Sequence, residues 1–420
     1  MHICVLGAGV IGVTSAYRLL EAGHQVTLVD AAALPGSQTS WGNGAQLSYS
    51  YVAPLADASV WTHWPHYLFS PQSPLTLRPK MDPAQWRWLL QFLAACNAKT
   101  TQKTTIELLR LAFFSRDQLM QLTQATPFNF QHKMAGKLVM YTDPKGLVAA
   151  RNQVAFQAAH GCRQEVIDAA RCLEIEPVLA HAKRDWAGGV YTASEEAGDC
   201  ALFCERLVEA MLRQPQFRFA HSRRIGKLEM RNGALTAIHA GDEEIAADKF
   251  VLALGAHSAA FARQAGFSLP VYPLKGYSIT VPLNDSAQQA AAPQVSITDL
   301  SKKIVYARLG EQLRVAGRVE VLGLDRRIPV RAIDELKRGV NELFPGSLDA
   351  VADSALSPWA GFRPATPTGI PIIGASPVPN LYLNVGHGSL GWTLAHGSAT
   401  LLSQLIAGTI TSVESAPFAF

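Results

Sequence analysis

An α/β fold is predicted for this chain, with a discontinuous Rossmann-type nucleotide domain and an α+β domain inserted into it. Three observations carry the prediction: an opening βαβ unit built on a glycine turn, a return of α/β patterning near residue 188 after an irregular block, and a late strand that meets a second glycine-rich turn.

The opening unit runs from a strand over 3–6 into Gly7-Ala8-Gly9-Val10-Ile11-Gly12, a helix to residue 22, Gly23, a second strand over 26–29 and then Asp30. Gly7 permits the tight turn, Gly9 lets backbone approach a pyrophosphate, and Gly12 lets the helix pack closely on the strand. Val10 and Ile11 open a helix whose N-terminal N–H groups face phosphate. Asp30 is placed to accept from a ribose hydroxyl. The glycine hexapeptide alone is a weak signal; agreement of strand, turn, helix and terminal acid makes it a dinucleotide site. A glycine turn in another kind of α/β protein leaves the acid unexplained.

A length of 420 residues suggests two domains, and 48% hydrophobic with 17% charged residues is ordinary globular composition. The net charge of +4 comes without a basic block, so nucleic acid is not an expected partner. Cys4, Cys96, Cys162, Cys172, Cys200 and Cys204 show no metal-ligand spacing, which reads as reduced core thiols in a reducing compartment, and no metal is expected. With the first strand at residue 3, no signal peptide is expected, and no apolar run has membrane-spanning length. The expected location is the cytoplasm, or the periphery of the membrane on its cytosolic face.

After the first unit come a Ser/Gly/Asn-rich stretch over 36–50 and Pro- and Trp-bearing sequence over 54–83. Helical spacing marks 83–98, with Pro83 suited to a first turn, and 104–123. Strands are expected at 137–141 and 162–167 around another helix. Beyond Gly188 follow a helix at 201–212, a strand at 217–220, a hairpin over 227–240 turning on Asn232-Gly233, and a buried strand over 249–254 that stops at Gly255. Strands at 277–281, 303–308 and 312–316 precede a helix over 332–343, and a last helix follows Gly391. These elements assign 1–55, 189–268 and 352–420 to the nucleotide domain, and 56–188 and 269–351 to the inserted one.

Three further stretches carry chemistry. At Gly255 backbone must lie against something flat or charged, while His257 and Ser258 stay open between cofactor contact and surface polarity. The second is Gly361-Phe362-Arg363-Pro364-Ala365-Thr366-Pro367-Thr368-Gly369 with its following Ile370-Pro371-Ile372-Ile373-Gly374. Arg363 there has the planar fork that grips a carboxylate bidentately without losing charge. The third is Asn384-Val385-Gly386-His387-Gly388-Ser389-Leu390-Gly391-Trp392-Thr393, a strand–turn–helix junction where N–H groups converge. A flavin becomes negative at N1 and the C2 oxygen on reduction, and donors fixed there would stabilise that charge.

Together with the 7–30 unit, the motifs Ser40-Trp41-Gly42-Asn43-Gly44-Ala45-Gln46-Leu47-Ser48, Glu196-Ala197-Gly198-Asp199-Cys200 and Pro270-Val271-Tyr272-Pro273-Leu274-Lys275-Gly276-Tyr277-Ser278 make the chain resemble the bacterial D-amino acid dehydrogenase small subunit. That is a branch of the D-amino acid oxidase and glycine oxidase superfamily of FAD-dependent oxidoreductases, and the resemblance spans nearly the whole chain. It implies FAD as cofactor and deamination of D-amino acids to 2-oxo acids and ammonia, by hydride transfer from Cα to flavin N5. Electrons then pass to a quinone or other respiratory acceptor.

On the same resemblance, Arg363 holds the substrate carboxylate. Ser40, Asn43, Gly44, Ala45, Gln46, Leu47, Gly255, Gly361, and Gly388 through Thr393 (Ser389, Leu390, Gly391, Trp392) join Gly7, Gly9, Val10, Ile11, Gly12 and Asp30 around FAD. Tyr51, Tyr277, Tyr306, Lys275 and His387 are candidate pocket residues, each equally readable as a buried or turn residue. The chain departs from the family at Thr368, usually acidic, and in its Gly42-to-Gln46 loop, which leaves substrate preference open. The tryptophan-rich segment 60–69 and helix 86–93 read either as a membrane-facing surface or as a cover for the pocket. Alternative functions are oxidation of glycine, sarcosine, hydroxyproline or other secondary amines, and non-catalytic FAD-binding electron transfer.

Overall fold

The computed structural model describes residues 1–61 and 75–420. A six-stranded sheet runs in the order Ile372–Ala375, Leu381–Val385, Lys249–Leu252, His2–Leu6, Gln25–Val29, Phe217–Ala220, parallel except for its first pair. Strand His2–Leu6 is buried on both faces, as a central parallel strand requires. Ile3 and Val5 pack on the helices Val10–Glu21, Cys200–Met211 and Gly391–Ala407. Cys4 and Leu6 pack beneath the three-stranded sheet Ile225–Arg231, Ala234–Ala240, Glu243–Ala246, whose hairpin turns on Asn232 and Gly233, both at positive φ.

Two glycines set how close the layers lie. A Cβ on Gly12 would stand 1.7 Å from the Gly7 carbonyl oxygen, so the first helix seats directly on its turn. A Cβ on Gly397 would meet the Leu111 carbonyl at 2.9 Å, where the last helix crosses Ala98–Ala125.

A nine-stranded mixed sheet forms the second layer, in the order Trp359–Ala365, Tyr272–Pro282, Gln312–Val321, Ile304–Leu309, Ser296–Asp299, Lys137–Tyr141, Gly188–Thr192, Glu165–Asp168, with Leu75–Leu77 paired to Gln312–Val321. One face is covered by helix Val330–Leu343 through Tyr277, Ile279, Tyr306 and Val315. The opposite parity, including Lys137, Val305, Ala316, Gly361 and Arg363, faces a cavity.

Two strands depart from the expected division. Gly188–Thr192 straddles the boundary at 189, and Trp359–Ala365, beyond the one at 352, is hydrogen-bonded into the larger sheet. Tyr272–Pro282 is longer than the strand expected at 277–281. Pro273 lies opposite Pro364, so this pair exchanges no hydrogen bond, and the prolines that mask the strand in sequence are tolerated. Helix Ala98–Ala125 starts earlier than expected because the Asn97 side chain caps it, accepting from Thr100 N–H. All six cysteines are buried and free.

Candidate functional site

Between the two sheets lies a cavity of about 1000 Å³, lined by the turn Gly7–Ile11, by Asp30, by loop residues 36–46, by Gly255 and by Gly388–Thr393. Six described helices of the chain are capped by the acids or amides Asp82, Asn97, Asp143, Asp168, Asp199 and Asp285. The helices starting at Val10, Ser258 and Gly391 have no side-chain cap of that kind, and the residues before them line the cavity. Three positive helix ends therefore open on one space, which suits a polyanionic, hydrogen-bond-accepting ligand.

At the turn, Gly7 has φ +107°, and a Cβ there would meet the Ala253 carbonyl oxygen at 2.5 Å. Gly9 has only Ser40 Oγ nearby, 3.7 Å from where its Cβ would be, which leaves its backbone open to a ligand. Val10 N–H donates to Ser40 Oγ (3.1 Å). Asp30 accepts from Ala8 N–H (2.6 Å) and Ala32 N–H (2.7 Å), which fixes a carboxylate at the cavity wall where a ribose diol would be met. His257 lines the same end; burial, then the charges of Arg326 and Arg224, push its pKa down. Ser258 is buried at the helix start and lies outside the lining. These arginines, which motif reading missed, bring positive charge to the phosphate end.

The 40–48 loop is held from beneath. Buried Arg314 donates through Nη1 to the carbonyls of Trp41 (2.9 Å) and Asn43 (3.0 Å), and Gln46 Nε2 reaches Ile297 O and Tyr306 O, each at 3.1 Å. Asn43, Gly44, Ala45 and Gln46 line the cavity, while Leu47 points into the core beside Val13 and Tyr49. Gly12 likewise acts from outside the wall, by close packing. Gly361 makes room for Trp359: a Cβ there would lie 1.9 Å from the indole, and one on Gly42 would lie 2.3 Å from it. The Trp359 ring, unremarked in the sequence, is thus clasped between two glycines at the wall.

Arg363 is half-buried, lines the cavity and has no carboxylate partner among the described residues; burial pulls its pKa down to about 10. Its Nη1 donates to Arg318 O at 3.1 Å. Arg318 has φ +59° in a bulge of strand Gln312–Val321, and this re-aims its carbonyl at the guanidinium. Arg318 itself pairs with Glu320 (3.0 Å) and Glu335 (2.5 Å), so it is neutralised, whereas Arg363 is not. Opposite, Gly276 lies against the fork: a Cβ there would be 2.5 Å from Arg363 Cζ. Gly276→Ala should therefore displace the guanidinium and raise KM for the substrate at least tenfold with FAD retained, as substrate titration of the yellow protein would read.

The other expected pocket residues separate by strand parity. Lys275, Tyr277 and Tyr306 belong to the helix-covered side. Lys275 Nζ donates to Arg327 O, Tyr277 Oη donates to Glu320 Oε2 (2.5 Å), and Tyr306 packs on Phe344, with only Tyr277 bordering the cavity. The polar groups of Lys275 and Tyr277 are committed, and Tyr306 Oη, which has no hydrogen-bond partner, lies away from the cavity. His387 lines the cavity, but its Nε2 lies 2.9 Å from Ser398 Oγ, whose single proton goes to Leu394 O. Nε2 must therefore donate, and burial holds the ring neutral, its pKa down at about 3. Tyr51 lines the cavity beneath Lys137, a buried lysine that the sequence reading did not single out. Of segment 60–69, only Val60 and Trp61 fall within the described residues.

The DAO family, FAD dependent oxidoreductase, matches residues 2–405. "D-amino acid dehydrogenase 2" of Ralstonia nicotianae is 44% identical over 424 residues, covering 100% of this chain and 99% of that protein. A protein of the same name from Pseudomonas aeruginosa is 42% identical, over 98% of this chain and 96% of its own length. Among solved structures, glycine oxidase from Geobacillus kaustophilus superposes with TM-score 0.74 at 19% identity, covering 99% of this chain and 97% of that one. L-proline dehydrogenase from P. horikoshii gives 0.74 at 16%, covering 99% and 96%, so both likenesses bear on fold alone. An open dinucleotide turn, a fixed acid at its end and a match across nearly the whole length agree: the chain belongs to the DAO family of FAD-dependent oxidoreductases, and its cofactor is FAD.

Proposed function

We propose that this enzyme oxidatively deaminates D-amino acids to 2-oxo acids and ammonia, passing electrons to a quinone or another respiratory acceptor. The observation that carries the reading is Arg363, a half-buried guanidinium without an anionic partner among the described residues, facing the flavin cavity of a chain 44% identical to a D-amino acid dehydrogenase. FAD, held along the Gly7–Ile11 turn, Asp30, the 40–46 loop and the Gly388–Thr393 helix start, supplies the hydride acceptor when bound.

The protein's own part is orientation. Arg363, steadied by Arg318 O and wedged against Gly276, takes the carboxylate through two parallel N–H···O bonds, and that fixes which Cα substituent faces the cofactor. The Trp359 indole and Tyr51 ring narrow the wall and exclude water from the reacting carbon. His387 donates through Nε2–H to Ser398 and so holds the turn before the last helix, and with its pKa pulled down by burial to about 3 it is too weak a base for the amine proton; the substrate amine then reacts in its neutral form.

The deciding experiment is anaerobic titration of the yellow protein with single D- and L-amino acids. Bleaching by D-amino acids alone supports the reading. No bleaching, or bleaching by glycine and secondary amines alone, overturns it in favour of a secondary-amine enzyme or an electron-transfer subunit.

The acceptor reading has its own support. Met81, Trp86 and Leu90 of the Pro83–Ala95 region are exposed, as are Leu324, Ile328 and Val330. Gln85 Nε2 joins the helix to the strand end that leads into the second group by donating to Val321 O (3.2 Å). No described helix is long and apolar enough to cross a membrane, so this contact would be peripheral. Wild-type protein should sediment with vesicles, and Trp86→Ser/Leu90→Ser should lose sedimentation while keeping dye-linked activity. Equal sedimentation of the two would remove the membrane from the reading.

A further inference from the structure

We propose that the Lys137 ammonium is a cation built to face the bound flavin, favouring its reduced, negatively charged form from the end of the sheet remote from Arg363. The inference rests on the FAD site above and adds a residue to it.

Lys137 opens strand Lys137–Tyr141, is 3% exposed and points to the cavity face, where it lines the wall. Its Nζ makes one hydrogen bond, to Ser48 Oγ at 2.8 Å, and lies 4.3 Å from the Tyr51 ring centroid. Ser48 N–H in turn donates to Thr393 Oγ1 (3.1 Å), in the first turn of the last helix, where no side chain caps the N–H groups. A fixed positive charge and a positive helix end are thus tied together by one serine. Both act on whatever lies at Gly388–Thr393, the segment assigned to the flavin pyrimidine.

Among the described residues, none makes a contact ion pair with this ammonium. The carboxylate that acts on it is Glu195, which holds Ser50 N–H at 2.7 Å through Oε1 and leaves Oε2 without a hydrogen-bond partner. Burial drives Lys137 down and Glu195 up, and each is partly restored by the other's charge. A buried cation in this state is stabilised by negative charge arriving in the cavity. Arg363, which takes the substrate carboxylate, stands five strands away in the sheet order.

The test uses FAD-loaded Lys137→Met, Lys137→Arg and Glu195→Gln, read by midpoint potential against a reference dye and by titration with sulfite, which adds to oxidised flavin and leaves negative charge on it. Lys137→Met is expected to weaken sulfite binding at least tenfold and to lower the potential by about 30 mV or more, a tenfold shift in a two-electron equilibrium. Lys137→Arg should stay within threefold of wild type. Glu195→Gln, which removes the opposing charge, should move both readings the other way. Wild-type potential and sulfite affinity in yellow Lys137→Met, or a change confined to the KM for amino acid, would overturn the proposal. If that variant fails to hold FAD, an unchanged or lowered potential in Glu195→Gln overturns it instead. Neither measurement uses an amino acid, so failure of the D-amino acid reading leaves this result legible.

Discussion

Arg363→Met is expected to lower kcat/KM for the amino acid by about a thousandfold, with FAD retained and a thermal midpoint no lower than wild type. Two charge-assisted hydrogen bonds to a carboxylate contribute about 4 kcal/mol together. At 1.36 kcal/mol per tenfold, that is roughly three decades. The stability half runs the other way. Burial pulls the guanidinium pKa down to about 10, below its ordinary value, so holding the charge costs the substrate-free fold stability. The folded-state pKa lies below the unfolded one, so this cost is fully present at neutral pH and is relieved only as pH rises through about 10. Methionine fills the space without the charge and gives up one bond to Arg318 O, worth about 1 kcal/mol. A carboxylate ligand should then raise the melting point of wild type but not of the variant. Loss of FAD and a lower midpoint in Arg363→Met would mean that Arg363 serves the fold rather than the substrate.

The second large effect separates two glycines of one turn. Gly12→Ala should abolish soluble holoprotein, because its Cβ would lie 1.7 Å from the Gly7 carbonyl oxygen and neither backbone has room to move. Such overpacking costs at least about 3 kcal/mol in the first strand–helix contact. Gly9→Ala meets nothing closer than Ser40 Oγ at 3.7 Å, so it should fold with normal circular dichroism yet bind FAD at least tenfold more weakly. If both variants fold and load alike, the division between packing glycine and ligand glycine fails. Flavin absorbance per protein and far-UV dichroism together decide it.

The cofactor half was legible because each element carries a local signature: glycines where φ is positive or backbone crowds backbone, and an acid at a strand end. Arg363 drew notice because a motif surrounds it, and the structure places it on the cavity wall. The rest of the pocket was not, and strand parity explains why. Both faces of the large sheet are buried, one by helix Val330–Leu343 and one by the cavity, so polarity does not announce which parity faces which. Lys275 and Tyr277 drew notice as functional side chains, while the residue between them that touches the site is Gly276, which has none. Tyr306 failed for the same reason. Lys137 stands alone in an apolar run, and its partner Glu195 comes from a distant stretch of chain that only the fold brings near.

The chain order of the six-stranded sheet has a consequence for synthesis. The strand made first, His2–Leu6, is flanked by Lys249–Leu252, which is completed only by Leu381–Val385. Asn384 Nδ2 then donates back to Ser15 Oγ (3.0 Å), and the last helix closes over both Thr14 and the long Ala98–Ala125 helix. A nascent chain halted near residue 380 still bares a sheet edge and an apolar helix face. The nucleotide domain therefore cannot close until residues 381–407 have been made, and its first half must be kept from aggregating until then.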